Sequence, residues 1–145
     1  EVTELTLDAV FRELFTQGVD PKGIILKPNM ILPGKDCTEK ADVEEVAART
    51  VASLRETVPA EVPGIMFLSG GQSESDATAH LNAINARNDG SPWALSYSYG
   101  RALQESVLKI WKGNSTNCLA AQAQLLDRAR LNSAACGAQY IGEAA

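Results

Sequence analysis

Three short apolar segments alternate with longer segments of helical periodicity, and this alternation restricts the possible folds more than any other feature of the chain. The apolar segments lie at 24–27, 64–68 and 93–97. They are apolar throughout rather than alternately polar, which is typical of strands covered on both faces of a sheet. Since helices separate these strands along the chain, we expect them to run parallel.

The remaining periodicity predicts a helix before the first strand, one after each strand, and an additional helix at the end. Apolar residues recur at helical spacing in these segments, and a stripe that begins at Val43 is expected to be buried. The five helices are predicted at 5–15, 42–57, 73–85, 100–111 and 117–135. The tail from Gly137 onward is small and polar, so we expect it to be loosely held.

The order of elements indicates the α/β class and leaves two architectures open. One is an open doubly wound sheet, and the other is a (β/α)8 barrel. A complete barrel needs about 250 residues, whereas this chain has 145 residues. Three strands cannot close a barrel, so the barrel interpretation requires the chain to be part of a larger unit.

Composition narrows the classes of function. The net charge of -5 and the pI of about 4.9 argue against nucleic acid or an anionic membrane as the main partner. His80 is the only histidine, so neither a His-based triad nor a two-histidine metal site can be built from this chain. The three cysteines form no CxxC pair, which argues against a zinc site or disulfide framework and favours a reducing compartment.

Lys27 ends the first apolar segment, where Pro28 stops the strand. Two interpretations fit this position. Lys27 is a surface charge at a strand exit, or it is an amine in an apolar pocket. Burial lowers the pKa of a lysine and makes it a nucleophile able to form a Schiff base with a carbonyl. Local sequence by itself favours the surface charge, because lysines are seldom fully buried.

Polar residues and glycines follow the other two strands. Ser69-Gly70-Gly71 follows the second strand, and Ser98 and Gly100-Arg101 follow the third. Glycines allow close approach of an anion to the backbone, helix N-termini offer free N–H groups, and arginine binds phosphate. Taken singly, these residues are better explained as a glycine turn into a helix and a surface arginine. Their agreement at one edge favours a phosphate pocket shared by two successive βα loops, as in many barrel enzymes.

Four sequence stretches give the chain a resemblance to a known family. The stretches are LKPNM at 26–30, FLSGGQSE at 67–74, LNAIN at 81–85 and YSYGRAL at 97–103. Together they resemble the C-terminal part of class I fructose-1,6-bisphosphate aldolase, and the intervals between them fit as well. The similarity extends over nearly all of residues 1–145.

The resemblance implies that residues 1–145 are the C-terminal part of a single (β/α)8 barrel domain. The implied enzyme is a lyase of glycolysis and gluconeogenesis that reversibly cleaves fructose-1,6-bisphosphate to dihydroxyacetone phosphate and glyceraldehyde 3-phosphate. Lys27 matches the Schiff-base lysine of the family. The implied residues of the C1 phosphate site are Ser69, Gly70, Gly71, Ser98 and Arg101. No metal or cofactor is implied.

The same resemblance implies that acid/base residues come from earlier strands, outside this chain. The chain alone is therefore expected to be nearly inactive. A cytoplasmic homotetramer is expected from the family, with neither nucleic acid nor membrane as a partner. The alternative is a non-catalytic module, derived from the barrel, that binds phosphate or another protein. In that module Lys27 would remain an ordinary charged amine.

Overall fold

The computed structural model describes residues 1–142, which form five α-helices, three strands and two short 3-10 turns. The helices are α1 (Val2–Thr16), α2 (Val43–Thr57), α3 (Glu74–Arg87), α4 (Arg101–Trp111) and α5 (Cys118–Cys136). The strands are β1 (Ile25–Leu26), β2 (Gly64–Phe67) and β3 (Ala94–Tyr97). Each predicted element is present near its predicted position, and the α/β class is confirmed.

The strands form one parallel sheet in the order β1-β2-β3. Leu26 pairs with Ile65, which in turn pairs with Leu95. Parallel pairing between consecutive strands follows from the intervening helices, because each helix returns the chain to the same end of the sheet. All three carboxyl ends consequently lie at one edge.

The sheet is covered by helices on the face that carries Ile65, Phe67 and Leu95, all of which are buried. The prediction that every strand is buried on both faces is wrong for β1, because Ile25 is 57% exposed. Within residues 1–142, no strand pairs with the outer edge of β1. The opposite face therefore has less cover than a continuous apolar segment led us to expect.

Side-chain caps fix where α2 and α3 begin. The Asp42 carboxylate accepts a hydrogen bond from the backbone N–H of Glu45 at 2.7 Å, and the Ser73 hydroxyl accepts one from Asp76 at 3.0 Å. The predicted apolar stripe of α2 is buried from Val46 onward, whereas Val43 in the first turn is 36% exposed.

The tail is partly attached to the body of the protein. The backbone N–H of Tyr140 donates to Asn82 Oδ1 at 2.9 Å, and the Tyr140 side chain packs against the core. The prediction of a loose tail from Gly137 is therefore wrong as far as Tyr140, since one aromatic anchor is enough to hold a short segment. Residues 143–145 lie outside the described residues.

Helices long and apolar enough to cross a membrane are absent from residues 1–142.

Candidate functional site at the carboxyl edge of the sheet

Hydrogen bonds continue the sheet beyond the formal ends of its strands. The backbone N–H of Leu68 donates to the carbonyl of Pro28 at 3.0 Å, and that of Ser98 donates to Phe67 at 2.9 Å. The segments that follow β1, β2 and β3 therefore run side by side. Lys27 precedes the first of these contacts, and Ser69 follows Leu68 directly, so the predicted site residues are brought to one edge of the sheet.

Lys27 lies beside a groove of about 360 Å³ between α1 and the end of β1. The groove is lined largely by apolar side chains, including Val10, Leu26 and Leu68. The Lys27 side chain is nevertheless exposed. The position of Lys27 combines features of a surface charge and of an amine in an apolar pocket, since the amine has apolar neighbours but is not enclosed by residues 1–142.

The segment after β2 is a tight turn built on two glycines. Gly70 and Gly71 adopt φ angles of 60° and 86°, in the left-handed region where side chains are strained. Ser69 is buried, and its carbonyl accepts hydrogen bonds from both the backbone N–H and the side-chain amide of Gln72, at 3.0 and 2.8 Å. The turn exposes backbone at Gly70 and Gly71 immediately before the N-terminus of α3.

The segment after β3 leads into α4, whose first residue is the exposed Arg101. Gly100 is the N-cap and provides no side-chain hydrogen bond to the first turn. Backbone N–H groups at a helix start that lacks a side-chain cap can bind an anion, and the guanidinium adds a fixed positive charge. Ser98 is half-buried one position before Tyr99. Amine, hydroxyls, glycine turn and arginine together suit a phosphorylated carbonyl compound.

Several residues that support this edge were not identified from the sequence as part of it. Gln72 links the glycine turn to His80, whose Nδ1 is within hydrogen-bond distance of Gln72 Oε1. Desolvation lowers the pKa of His80, opposed in part by the charge of Asp76. His80 is 8% exposed, so its side chain is packed inside the protein. The only sequence feature that could have identified Gln72 as part of this edge is its position directly after the Gly-Gly turn.

Arg128 is the other residue that sequence reasoning missed. It lies in α5, far along the chain from the strand ends, and is only 2% exposed. The residues on either side of Arg128 in the sequence do not distinguish it from a surface arginine.

Metal ligands are not grouped within residues 1–142, where no cluster of three or more His, Cys, Asp or Glu side chains could hold an ion.

Comparison with known proteins decides the family. A family model described as class-I fructose-bisphosphate aldolase matches residues 1–145. The chain belongs to the class I fructose-bisphosphate aldolase family. The resemblance carried by the four sequence stretches is thereby confirmed.

Fructose-bisphosphate aldolases from distant organisms are similar over nearly the whole chain. Fructose-bisphosphate aldolase 2 of Caenorhabditis elegans is 52% identical over 143 residues, which cover 99% of this chain and 39% of the relative. A probable class 1 aldolase of Xylella fastidiosa is 49% identical over 146 residues, covering 98% of this chain and 42% of the relative. The chain thus spans about two fifths of the length of these curated relatives.

A solved aldolase structure has the same fold in the matched region. It is the aldolase of Plasmodium falciparum, crystallised with TRAP and a small-molecule inhibitor, and it matches with a TM-score of 0.94 at 48% identity. The match covers 98% of this chain and 41% of that one.

Proposed function

We propose that this chain forms the C-terminal part of a (β/α)8 barrel that cleaves fructose-1,6-bisphosphate reversibly to dihydroxyacetone phosphate and glyceraldehyde 3-phosphate. The observation that carries the proposal is the continuous ladder from Pro28 through Leu68 and Phe67 to Ser98. It brings the segments that follow three consecutive strands to one edge, where barrel enzymes have their active sites. The unpaired outer edge of β1 and the exposed Ile25 are consistent with a further strand of the barrel packing there.

In the proposed reaction, the Lys27 amine adds to the C2 carbonyl of the sugar and water leaves, which forms an iminium. The bond between C3 and C4 then breaks, and its electron pair moves into the iminium to give an enamine. The proton on the C4 hydroxyl is removed as glyceraldehyde 3-phosphate forms. Protonation of the enamine at C3 and hydrolysis release dihydroxyacetone phosphate and restore the amine. These proton transfers need acid/base groups supplied by other parts of the barrel.

The C1 phosphate is proposed to bind between the two helix starts. Backbone N–H groups at Gly70 and Gly71 and the uncapped first turn of α4 favour an anion. Ser69 and Ser98 can add hydroxyl donors, and the Arg101 guanidinium adds charge-assisted hydrogen bonds. Fixing the phosphate there would hold the ketone carbonyl near Lys27, so that addition of the amine becomes effectively intramolecular.

Borohydride trapping tests the chemistry in the full-length protein. Incubation with dihydroxyacetone phosphate followed by borohydride should convert the imine to a stable secondary amine on Lys27, identified by peptide mass spectrometry. Replacing Lys27 by arginine should abolish the adduct. Replacing Lys22 by arginine is the matched control, since Lys22 is an exposed lysine close in sequence, and it should leave the adduct unchanged. An unmodified Lys27 in a protein that still binds phosphate would refute the aldolase proposal.

The second candidate is a non-catalytic module that binds phosphate or another protein. The exposure of Lys27 in residues 1–142 favours the module for the isolated chain, because no apolar pocket encloses the amine there. The same trapping experiment separates the two functions. The module predicts phosphate binding without any borohydride-dependent adduct.

Family membership also supports a proposed assembly and location for the full-length protein, namely a homotetramer in the cytoplasm. Its partners would be the sugar and triose phosphates, with neither nucleic acid nor membrane among them. The acidic composition of this chain is consistent with that. Sedimentation analysis would test the tetramer.

A further inference from the structure

Arg128 is a buried charge in the middle of α5. It is 2% exposed, and the neighbouring polar residues Thr78 and Asn132 are completely buried. Removing a guanidinium from water is costly unless hydrogen bonds and an opposite charge compensate. The contacts that Arg128 makes therefore indicate which parts of the fold it holds together.

One nitrogen of Arg128 reaches the first turns of two different helices. Nη2 lies 2.8 Å from the carbonyl of Glu74, the first residue of α3, and 2.8 Å from the Thr78 hydroxyl. The same Nη2 lies 3.4 Å from the carbonyl of Ala102, the second residue of α4. Because the guanidinium is planar and rigid, these contacts restrict the separation of the two helix starts.

The Glu74 side chain adds a direct connection between the same helices. Its Oε1 accepts hydrogen bonds from the backbone N–H and the hydroxyl of Ser106 in α4, each at 3.0 Å. Its Oε2 lies 3.7 Å from Nε of Arg128. The carboxylate is only 17% exposed, so the pair is poorly screened by solvent. Glu74 and Arg128 thus join α3, α4 and α5 at one point.

Both helices held by this pair begin directly after the two proposed phosphate-binding segments. The glycine turn at Gly70 and Gly71 leads through the Ser73 cap into α3, and Gly100 leads into α4. A single phosphate between these helix starts would be sensitive to their spacing, because hydrogen bonds weaken steeply with distance and angle.

We propose that Arg128, together with Glu74, is a positioning residue for the phosphate site. It would act without touching the ligand, by fixing the relative position of the two helix N-termini that bind the phosphate. This inference rests on the proposed function and extends the site to a helix that follows the barrel strands in sequence.

The test compares two ketones in borohydride trapping of the full-length protein. Dihydroxyacetone phosphate and dihydroxyacetone have the same carbonyl, and only the first has a phosphate. The half-saturating concentration of dihydroxyacetone divided by that of dihydroxyacetone phosphate therefore reports phosphate recognition alone. In Arg128→Met we expect this ratio to fall on the order of tenfold or more, since small misplacements in a site have effects of that size. A general loss of folded protein would change both ketones equally and leave the ratio unchanged.

Matched variants distinguish positioning from a merely structural role. Arg130→Met removes an exposed arginine of the same helix and should leave the ratio unchanged. Arg128→Lys keeps the charge but not the planar fork, and it should recover part of the ratio. Glu74→Gln keeps an acceptor for Ser106 and should lower the ratio less than Arg128→Met. If Arg128→Met does not fold, Glu74→Gln and Arg128→Lys decide the question, and an unchanged ratio in both would overturn the proposal.

Inorganic phosphate provides a second probe that does not depend on Schiff-base chemistry. Phosphate should raise the thermal unfolding temperature of the parent protein more than that of Arg128→Lys or Glu74→Gln. If the parent shows this difference but neither ketone is trapped, the aldolase function is wrong and the positioning role stands. If phosphate stabilises parent and variants equally, or none of them, the positioning role is wrong.

Discussion

Nδ1 of His80, in the second turn of α3, lies 2.5 Å from Oε1 of Gln72, which precedes the Ser73 cap of that helix. The Gln72 amide nitrogen donates to the Ser69 carbonyl at 2.8 Å and lies 3.5 Å from the Met30 sulfur. Its oxygen must therefore face His80, and the histidine must donate from Nδ1. The glycine turn is consequently tied both to the helix that follows it and to the loop that follows Lys27.

This arrangement makes stability dependent on pH through His80. Desolvation lowers the pKa of the folded imidazole, so the unfolded chain binds more protons as the pH falls through about 6.5. The contribution of the neutral folded His80 is complete above that pH and is lost as the pH falls towards the lowered pKa. Between pH 7.5 and 5.5, the parent protein should therefore lose more thermal stability than His80→Asn.

Asparagine is the appropriate comparison because it can still donate to Gln72 Oε1 but does not titrate. Carboxylates contribute equally in both proteins. Parallel decreases of the two unfolding temperatures across this pH range would show that His80 titration does not matter.

Gly71→Ala should destabilise the turn by about 1–2 kcal/mol, because an alanine at φ 86° is strained even though no atom lies within 4 Å of the added Cβ. Gly34→Ala is the control. Its Cβ would also meet nothing within 4 Å, and Gly34 does not have a positive φ. Denaturant unfolding should show a loss only for Gly71→Ala. Equal stability of the two variants would contradict the strain argument.

Tyr99→Phe should cost about 0.5–1.5 kcal/mol, since the Tyr99 hydroxyl donates to the Ala77 carbonyl at 2.8 Å. Burial also raises the pKa of this phenol well above its ordinary value, so it stays neutral and remains a donor at alkaline pH. Tyr97 packs against Tyr99 with ring centroids 5.2 Å apart. Its hydroxyl has no hydrogen bond to the described part of the chain, so Tyr97→Phe should stay within about 0.5 kcal/mol of the parent. A larger loss for Tyr97→Phe than for Tyr99→Phe would reverse this assignment.

The 145-residue chain by itself should show almost no cleavage of fructose-1,6-bisphosphate. It contains Lys27 and the proposed phosphate site, but an iminium without positioned acid/base groups loses most of its rate. A coupled assay for triose phosphate, with the full-length protein as positive control, measures this directly. Turnover comparable to that of the full-length protein would show that the proton-transfer groups are within the chain.

Local sequence determined most of the architecture. Apolar segments bounded by Pro, Gly and polar residues predicted all three strands, and apolar residues at helical spacing predicted the helices. These signals succeed because strand and helix formation depends on nearby residues. Alternation of the elements then required parallel strands with their carboxyl ends at one edge, which brought the segments after Lys27, Ser69 and Ser98 together.

Tertiary structure alone decided what surrounds those residues. Ile25 and Lys27 are exposed because burial depends on which elements cover a strand, and that is not encoded in the strand itself. The Gln72–His80 contact joins the glycine turn to the helix that follows it, and Arg128 meets Glu74 from 54 positions away in sequence. Contacts of that kind depend on the packing of three helices, since side chains without any local pattern become neighbours only when the helices dock.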